Sequence, residues 1–427
     1  MNNQIDVCDS NVRRMFMFCA FSGAASALTM MGVFDAYLYF LTSDSNRAVG
    51  WAESASGLSQ VLMAVPAGVL VDRYSRAKIL SFCGWFSLIV SALFVYAVVT
   101  DKLLALYLAL IVGGAYASVE NAASYSLFSD SVSQGRRARA LANAAMITQL
   151  AMGLGPLVTV GLFLWEGDQW SLPILHFVLL VGLVLTVPAS YFLWGWKDVN
   201  LEKIPCDSSQ PDTLTEHLLE KGSPDDKVIN NVLVPCLVCL NDFVTSVGAG
   251  MTVKFFPLFF MNTYAMSPIA LQLLFAASAF SFSACTFVCE RLSESLGRVQ
   301  AALLFSGAGT LCLFALAWVE YLPLVVFVFL IRGGLQNSVY PLDRSILMDF
   351  TPSSQRGRWN SFESVTSVTW SGSAVVGGYL MDSHDYRYAF IITAWIYTAA
   401  FILRTPLLFL VPKQEQFGSA DVNTSSI

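Results

Sequence analysis

The sequence predicts an all-α integral membrane protein, and two observations carry that prediction. The chain is 56% hydrophobic and only 13% charged, with a mean hydropathy of +0.60, where a water-soluble domain carries about 25% charged residues. Its apolar residues also gather into runs of roughly 20 residues or more, the length a helix needs to cross the hydrocarbon. Unpaired backbone groups in lipid forbid open sheets, so such runs must be helices. The formal charge of −6 lies largely in loops and tails, and no nucleic-acid partner is read from it.

A short polar N-terminus (1–12) comes first. The apolar run after Arg13-Arg14 is too long for a signal-peptide core and reads as a retained first helix. Six spans fall within 13–195, at about 13–41, 48–71, 78–100, 103–128, 140–164 and 171–195. Residues 196–228 are rich in Pro, Ser and acids and read as a linker, with one amphipathic turn possible at 215–221. Six more spans fall within 229–412, at about 229–261, 267–289, 298–319, 322–347, 360–381 and 388–411, before a polar tail at 413–427. With both termini cytoplasmic, the outer loops carry only Arg47, Lys102 and Arg387, while the other loop and tail bases fall inside. That asymmetry is what the positive-inside rule requires. It holds for a plasma membrane or an organelle membrane alike, and Asn423-Thr-Ser is a glycosylation sequon only if the tail is lumenal.

The chain repeats itself. Asp130 is followed by Arg137 and Arg139, and Asp349 by Arg356 and Arg358, both as D-x6-R-x-R at an offset of 219. Asp72-x-x-Ser75-Arg76 answers Glu294-x-x-Gly297-Arg298 at an offset of 222, and Gly113-Gly114 answers Gly333-Gly334 at 220. Three markers at offsets within three residues of one another indicate two halves related by duplication.

Between the second and third spans lies Gly68-Val-Leu-Val-Asp72-Arg73-Tyr-Ser75-Arg76-Ala-Lys78. This resembles the G-x3-D-R-x-G-R-x-K loop of major facilitator superfamily transporters, with Ser75 where that family usually has glycine. Parallel repeats about an axis along the membrane normal are also the arrangement of the two major facilitator halves. The resemblance runs from about Arg13 to Pro412. It implies about twelve transmembrane helices in two six-helix bundles, alternating access, and a small-molecule substrate near the midplane between the halves. It also assigns Gly68, Asp72, Arg73 and Arg76 to a cytoplasmic gate. Asp130, Arg137, Arg139, Asp349, Arg356 and Arg358 join them, with Asp343-Arg344 toward the inner end of its span.

Charges within the spans point to the pathway, because a charge at mid-membrane costs about 2.5–3.5 kcal/mol or more and usually faces a cavity or a partner. The candidates are Asp35, Glu120, Asn121, Asp242, Lys254, Arg332, Gln336 and Asn337. The repeat offset carries Asp35 onto Lys254, opposite charges on the first and seventh spans. They are read either as a pair that breaks and re-forms during transport or as a static ion pair. Arg332 and Gln336 share a helix face, and a buried guanidinium suits a carboxylate or phosphate. Glu120 is the candidate proton carrier, although it and Arg332 could instead neutralise each other. Glu53 lies in the outer turn of the second span, and Arg404 near the inner end of the last span is read as snorkelling.

Gly153-Leu-Gly155-Pro156 resembles the end of the glycine-proline motif of drug–proton antiporters, but Ala142 and Ala151 stand where that motif has glycine. Ser361, Ser364, Ser367 and Ser371 form a small-residue stripe that suits close helix packing. Most of the nine cysteines lie in apolar runs and act as small hydrophobes, and Cys236-Leu-Val-Cys239 has no second pair to complete a metal site. There is no P-loop, no protease motif and no sugar-porter signature. The expectation is a non-enzymatic, monomeric secondary transporter without cofactors, moving a polar, anionic or amphoteric solute with protons. The alternatives are a drug–proton efflux pump and a non-transporting sensor or scaffold of the same fold.

Overall fold

The computed structural model describes residues 2–132, 137–199, 233–351 and 356–411. Everything regular in them is helical. The linker turn at 215–221, the tail with Asn423, and the side chains of Arg137, Arg139, Arg356, Arg358, Ser361 and Ser364 lie outside the described residues. Eleven helices are long and apolar enough to cross a membrane among the described residues. A further 28-residue helix, Arg356–Ser383, takes the place of the eleventh span in chain order.

The helices begin where the sequence supplies caps. Ser45 accepts from the Ala48 amide at the start of Asn46–Arg73, Ser75 from Lys78 at the start of Arg76–Thr100, and Asp385 from Tyr388 at the start of Tyr386–Arg404. Such caps are each worth about 1 kcal/mol. The hairpin at Tyr74-Ser75 has a second acid, Asp198, whose carboxylate accepts from the Ala77 amide and the Ser75 hydroxyl. An anion there is favoured by the helix N-terminus.

Several spans are not single rods. The first is broken between Asn2–Met30 and Val33–Leu41, with Gly32 at φ 82°. The seventh is broken between Leu233–Thr252 and Phe256–Tyr264 by a 3-10 turn at Val253–Phe255. The breaks stand about one repeat length apart, a feature the hydropathy pattern does not show. The tenth divides into Leu322–Asn337 and Tyr340–Asp349. The eighth, Pro268–Leu296, runs one to two turns past its apolar stretch.

The chain forms two compact units, Met1–Gly222 with Pro257–Leu273, and Ser223–Phe256 with Leu274–Ile427. In the first unit, span 1 packs on spans 5 and 6, and span 3 on spans 4 and 6. In the second, span 7 packs on spans 11 and 12, and span 9 on spans 10 and 12. The repeat extends to single hydrogen bonds. Ser59 donates to the Ile111 carbonyl at 2.5 Å and Ser281 to the Leu330 carbonyl at 2.7 Å, joining span 2 to span 4 and span 8 to span 10.

Segment 257–273 is tied into the first unit. Trp170 Nε1 donates to the Met266 carbonyl (2.8 Å), Asp168 accepts from the Ile269 amide (2.9 Å), and Gln272 Nε2 donates to the Met31 carbonyl (3.1 Å) beside the break in span 1.

Glycines set the closest approaches. A Cβ on Gly155 would lie 2.1 Å from the Ala27 Cβ, so this glycine serves the contact between spans 5 and 1. One on Gly250 would lie 1.8 Å from the Trp370 carbonyl oxygen, whereas Gly372 has open space around it. Overpacking costs about 1–3 kcal/mol. Gly250→Ala is therefore expected to lower the thermal unfolding midpoint of the detergent-solubilised protein by several degrees. Gly372→Ala should leave it level or higher, and equal midpoints for the two variants would contradict this packing.

Candidate functional site

The first unit holds a partly open cavity of about 440 Å³ between its helices. Span 4 crosses the membrane unbroken as Leu103–Asp130 and brings Glu120 to the cavity wall. Glu120 is only 6% exposed, and its Oε1 has no hydrogen-bond partner. Cys19 from span 1, Cys83 from span 3, and Tyr116 and Tyr125 from span 4 lie within its electrostatic reach. The rest of the wall is hydroxyls, two amides (Gln60 and Asn121), aromatic rings and small apolar groups. No other charged side chain lines it among the described residues.

Asp35 is 4% exposed and does not line this cavity. It occupies the first turn of the helix that restarts after Gly32, where the exposed N–H groups of a helix end favour an anion. Glu53 is half-buried on span 2.

In the second unit, Arg332 is 5% exposed on span 10. Its guanidinium carbon lies 5.1 Å from the Phe256 ring centre and 5.9 Å from that of Tyr397, and Nη2 donates to the Tyr397 hydroxyl at 3.4 Å. Its Nε has no partner, and no carboxylate pairs with it among the described residues. One turn on, Gln336 Oε1 is likewise unpartnered. Asn337 is exposed and turned back onto the Gly333 carbonyl. Lys254 sits in the 3-10 turn of the broken span 7, with its ammonium 5.8 Å from the Trp370 ring centre.

Arg404 departs from the snorkelling expectation. It is buried, with Nη2 2.5 Å from Asp343 Oδ2, both side chains 6% exposed. Asn241, which sequence reasoning passed over, completes the arrangement once its side-chain amide is assigned with oxygen toward Arg404 Nη2 (2.6 Å) and nitrogen toward the Ala400 carbonyl (2.8 Å), the orientation that satisfies both groups. Asp343 is thus engaged within the bundle. Asp242 is half-buried within reach of Asp343, Arg404 and Arg344, and Arg344 turns to the Tyr340 hydroxyl at 2.9 Å.

With this geometry in place, comparison with known proteins is direct. A family model described as Major Facilitator Superfamily matches residues 14–211 and 238–422. The chain belongs to the major facilitator superfamily. It is a multi-pass membrane protein of a transporter family, not an enzyme.

Solved major facilitator structures share its fold. The nucleoside transporter NupG superposes with a TM-score of 0.68 at 13% identity, covering 94% of this chain and 99% of that one. A bacterial homologue of the iron transporter ferroportin gives 0.68 at 14%, covering 94% and 98%. The human organic anion transporter MFSD10 gives 0.63 at 14%, covering 93% and 98%. No curated protein matches the chain in sequence.

Within this superfamily fold the repeated motifs make the same ion pair twice. Arg76 pairs with Asp130 in the first unit, and Arg298 pairs with Asp349 (2.5 Å) and Ser345 (2.6 Å) in the second. Asp72 and Arg73 are exposed at the end of span 2, and Gly68 has nothing near its missing side chain.

Removing one member of a buried pair leaves an uncompensated charge, at a cost of about 3–5 kcal/mol. Arg404→Leu is expected to destabilise the protein sharply in denaturant unfolding. The Asp343→Leu, Arg404→Leu double variant should recover most of the loss. A double variant as weak as the single would show that the charge pair is not what matters at this site.

Proposed function

We propose that this major facilitator transporter moves a polar organic solute, anionic or amphoteric, coupled to protons. The observation that carries the reading is a division among the buried charges. Asp343 and Arg404 satisfy each other within their unit. Glu120 and Arg332 are as deeply buried, yet each keeps a polar atom without a protein partner. A membrane protein that needed only stability could replace such groups with leucine. Groups retained in this condition are suited to partners that come and go.

Arg332 supports recognition of an anionic group. Its fork is fixed by Phe256 and Tyr397 while Nε stays free, so an arriving carboxylate or phosphate oxygen would gain a charge-assisted hydrogen bond. Glu120 supports the proton role. A carboxylate inside a bilayer protein can exist neutral or charged according to what else occupies its cavity. The Gly155 contact with Ala27 gives the glycine-proline segment a packing role, so it adds nothing in favour of drug efflux.

The decisive experiment places the purified protein in liposomes containing a pH dye and screens pooled polar metabolites for solute-dependent proton movement. A hit is expected among anionic or zwitterionic pools, abolished by Arg332→Leu, with Glu120→Gln severing proton movement from solute movement. Proton-coupled uptake by Glu120→Gln equal to that of the parent would remove Glu120 from the mechanism. Silence across anionic, zwitterionic and lipophilic cationic pools, with folded protein, would favour a sensor over a transporter.

A further inference from the structure

Span 1 stops at Met30 and restarts at Val33, and Leu28, Thr29, Gly32 and Asp35 around the break are all buried. A helix that ends leaves its last carbonyls without intrahelical donors. They point out of the end along the axis and make it the negative pole of the helix. Gly32 returns its amide to the Met30 carbonyl (3.0 Å), and Gln272 gives Nε2 to that of Met31 (3.1 Å). No amide reaches the carbonyls of Leu28 and Thr29 among the described residues.

Gln272 is fully buried at 0% exposed, and its Oε1 has no partner. The Met31 contact fixes which end of the amide is oxygen, since the reverse would set two acceptors face to face. An orphaned acceptor is therefore held beside a helix end that already exposes carbonyls, although a buried acceptor ordinarily has a partner. Asp35 lies in the first turn beyond the break, and the Cα–Cβ bonds of a helix lean toward its N-terminus. Its carboxylate adds negative potential on the side that faces the break.

We infer that a sodium ion binds at this break, held by Gln272 Oε1 and the carbonyls of Leu28 and Thr29, with Asp35 balancing its charge. A helix interrupted inside a membrane protein offers its C-terminal carbonyls to such an ion. Other occupants fit less well. An anion would meet the negative pole. A calcium ion takes about six to eight oxygens, and no cluster of His, Cys, Asp and Glu suited to a metal occurs among the described residues. An organic ammonium needs room, and packing here is tight: a Cβ on Gly182 would lie 2.7 Å from Thr29 Cγ2.

Gln272 belongs to segment 257–273, so the ion joins that segment to span 1 beside the Trp170 and Asp168 contacts. Sodium thereby strengthens the docking of the segment on the first unit. Neither Glu120 nor Arg332 takes part, so this site stands apart from the solute and proton pathway.

The test follows thermal unfolding of the full-length protein in detergent as choline chloride is replaced by sodium chloride at constant ionic strength. The midpoint should rise by several degrees and saturate, as linkage to a bound ion requires. Gln272→Leu should lose the sodium increment, whatever its midpoint in choline. Gln272→Glu should keep the increment and reach it at lower sodium, because the oxygen remains and gains charge. If neither variant folds, hydrogen exchange on the parent decides: sodium should slow exchange in 257–273 and at Met31-Gly32. The inference falls if sodium and choline give equal midpoints, if folded Gln272→Leu keeps the parent's increment, or if exchange at these segments is indifferent to sodium. Any of these results would leave the transport reading standing, since that reading is tested by solute-dependent proton movement.

Discussion

Every backbone amide and carbonyl that enters the hydrocarbon must find a partner in the protein, and the rest of this structure follows from that requirement. It makes every regular element among the described residues helical, and it makes each departure from helix within a span conspicuous. Where span 1 breaks at Gly32, the Met31 carbonyl is met by the side chain of Gln272. Where span 2 approaches span 4, Ser59 crosses to a carbonyl, and Ser281 does the same between spans 8 and 10. Asp35 stands just past a break and Lys254 within one, where freed backbone groups accommodate a charge better than a continuous helix would.

The low dielectric also sorts the charged residues into two kinds. Asp343, Arg404 and Asn241 form a closed arrangement in which each charge is answered from its own unit. Glu120 and Arg332 are not answered in this way. The buried charges thus differ in how they are answered by the protein, although all of them look alike in a hydropathy profile.

Much of this was legible in the sequence because the bilayer leaves a strong imprint on composition. The spans, the all-helical class and the duplication could be read directly, and the repeated D-R motifs led to ion pairs found in both halves. Arg404 was misread because position along a span says how near a side chain is to water, not what lies across from it. Asn241 and Asp198 escaped notice for the same reason, since each acquires its role only from a residue far away in the chain. The breaks in spans 1 and 7 escaped because a 3-10 turn or a single left-handed glycine leaves the apolar pattern intact. Glu120 and Arg332 were visible as oddities, but that their ends remain unpartnered is a property of three-dimensional packing.

The grouping of Pro257–Leu273 with the first unit means that chain order and structural unit do not coincide. The Asp168 carboxylate and the Trp170 indole both close on backbone supplied from beyond the linker. Severing the chain within 196–228 would thus not yield two self-sufficient fragments. The leading piece would emerge from synthesis with its partners still missing, and would reach its final form only after the trailing piece had delivered them. The first unit is in this sense completed only by residues that lie beyond the linker in the chain.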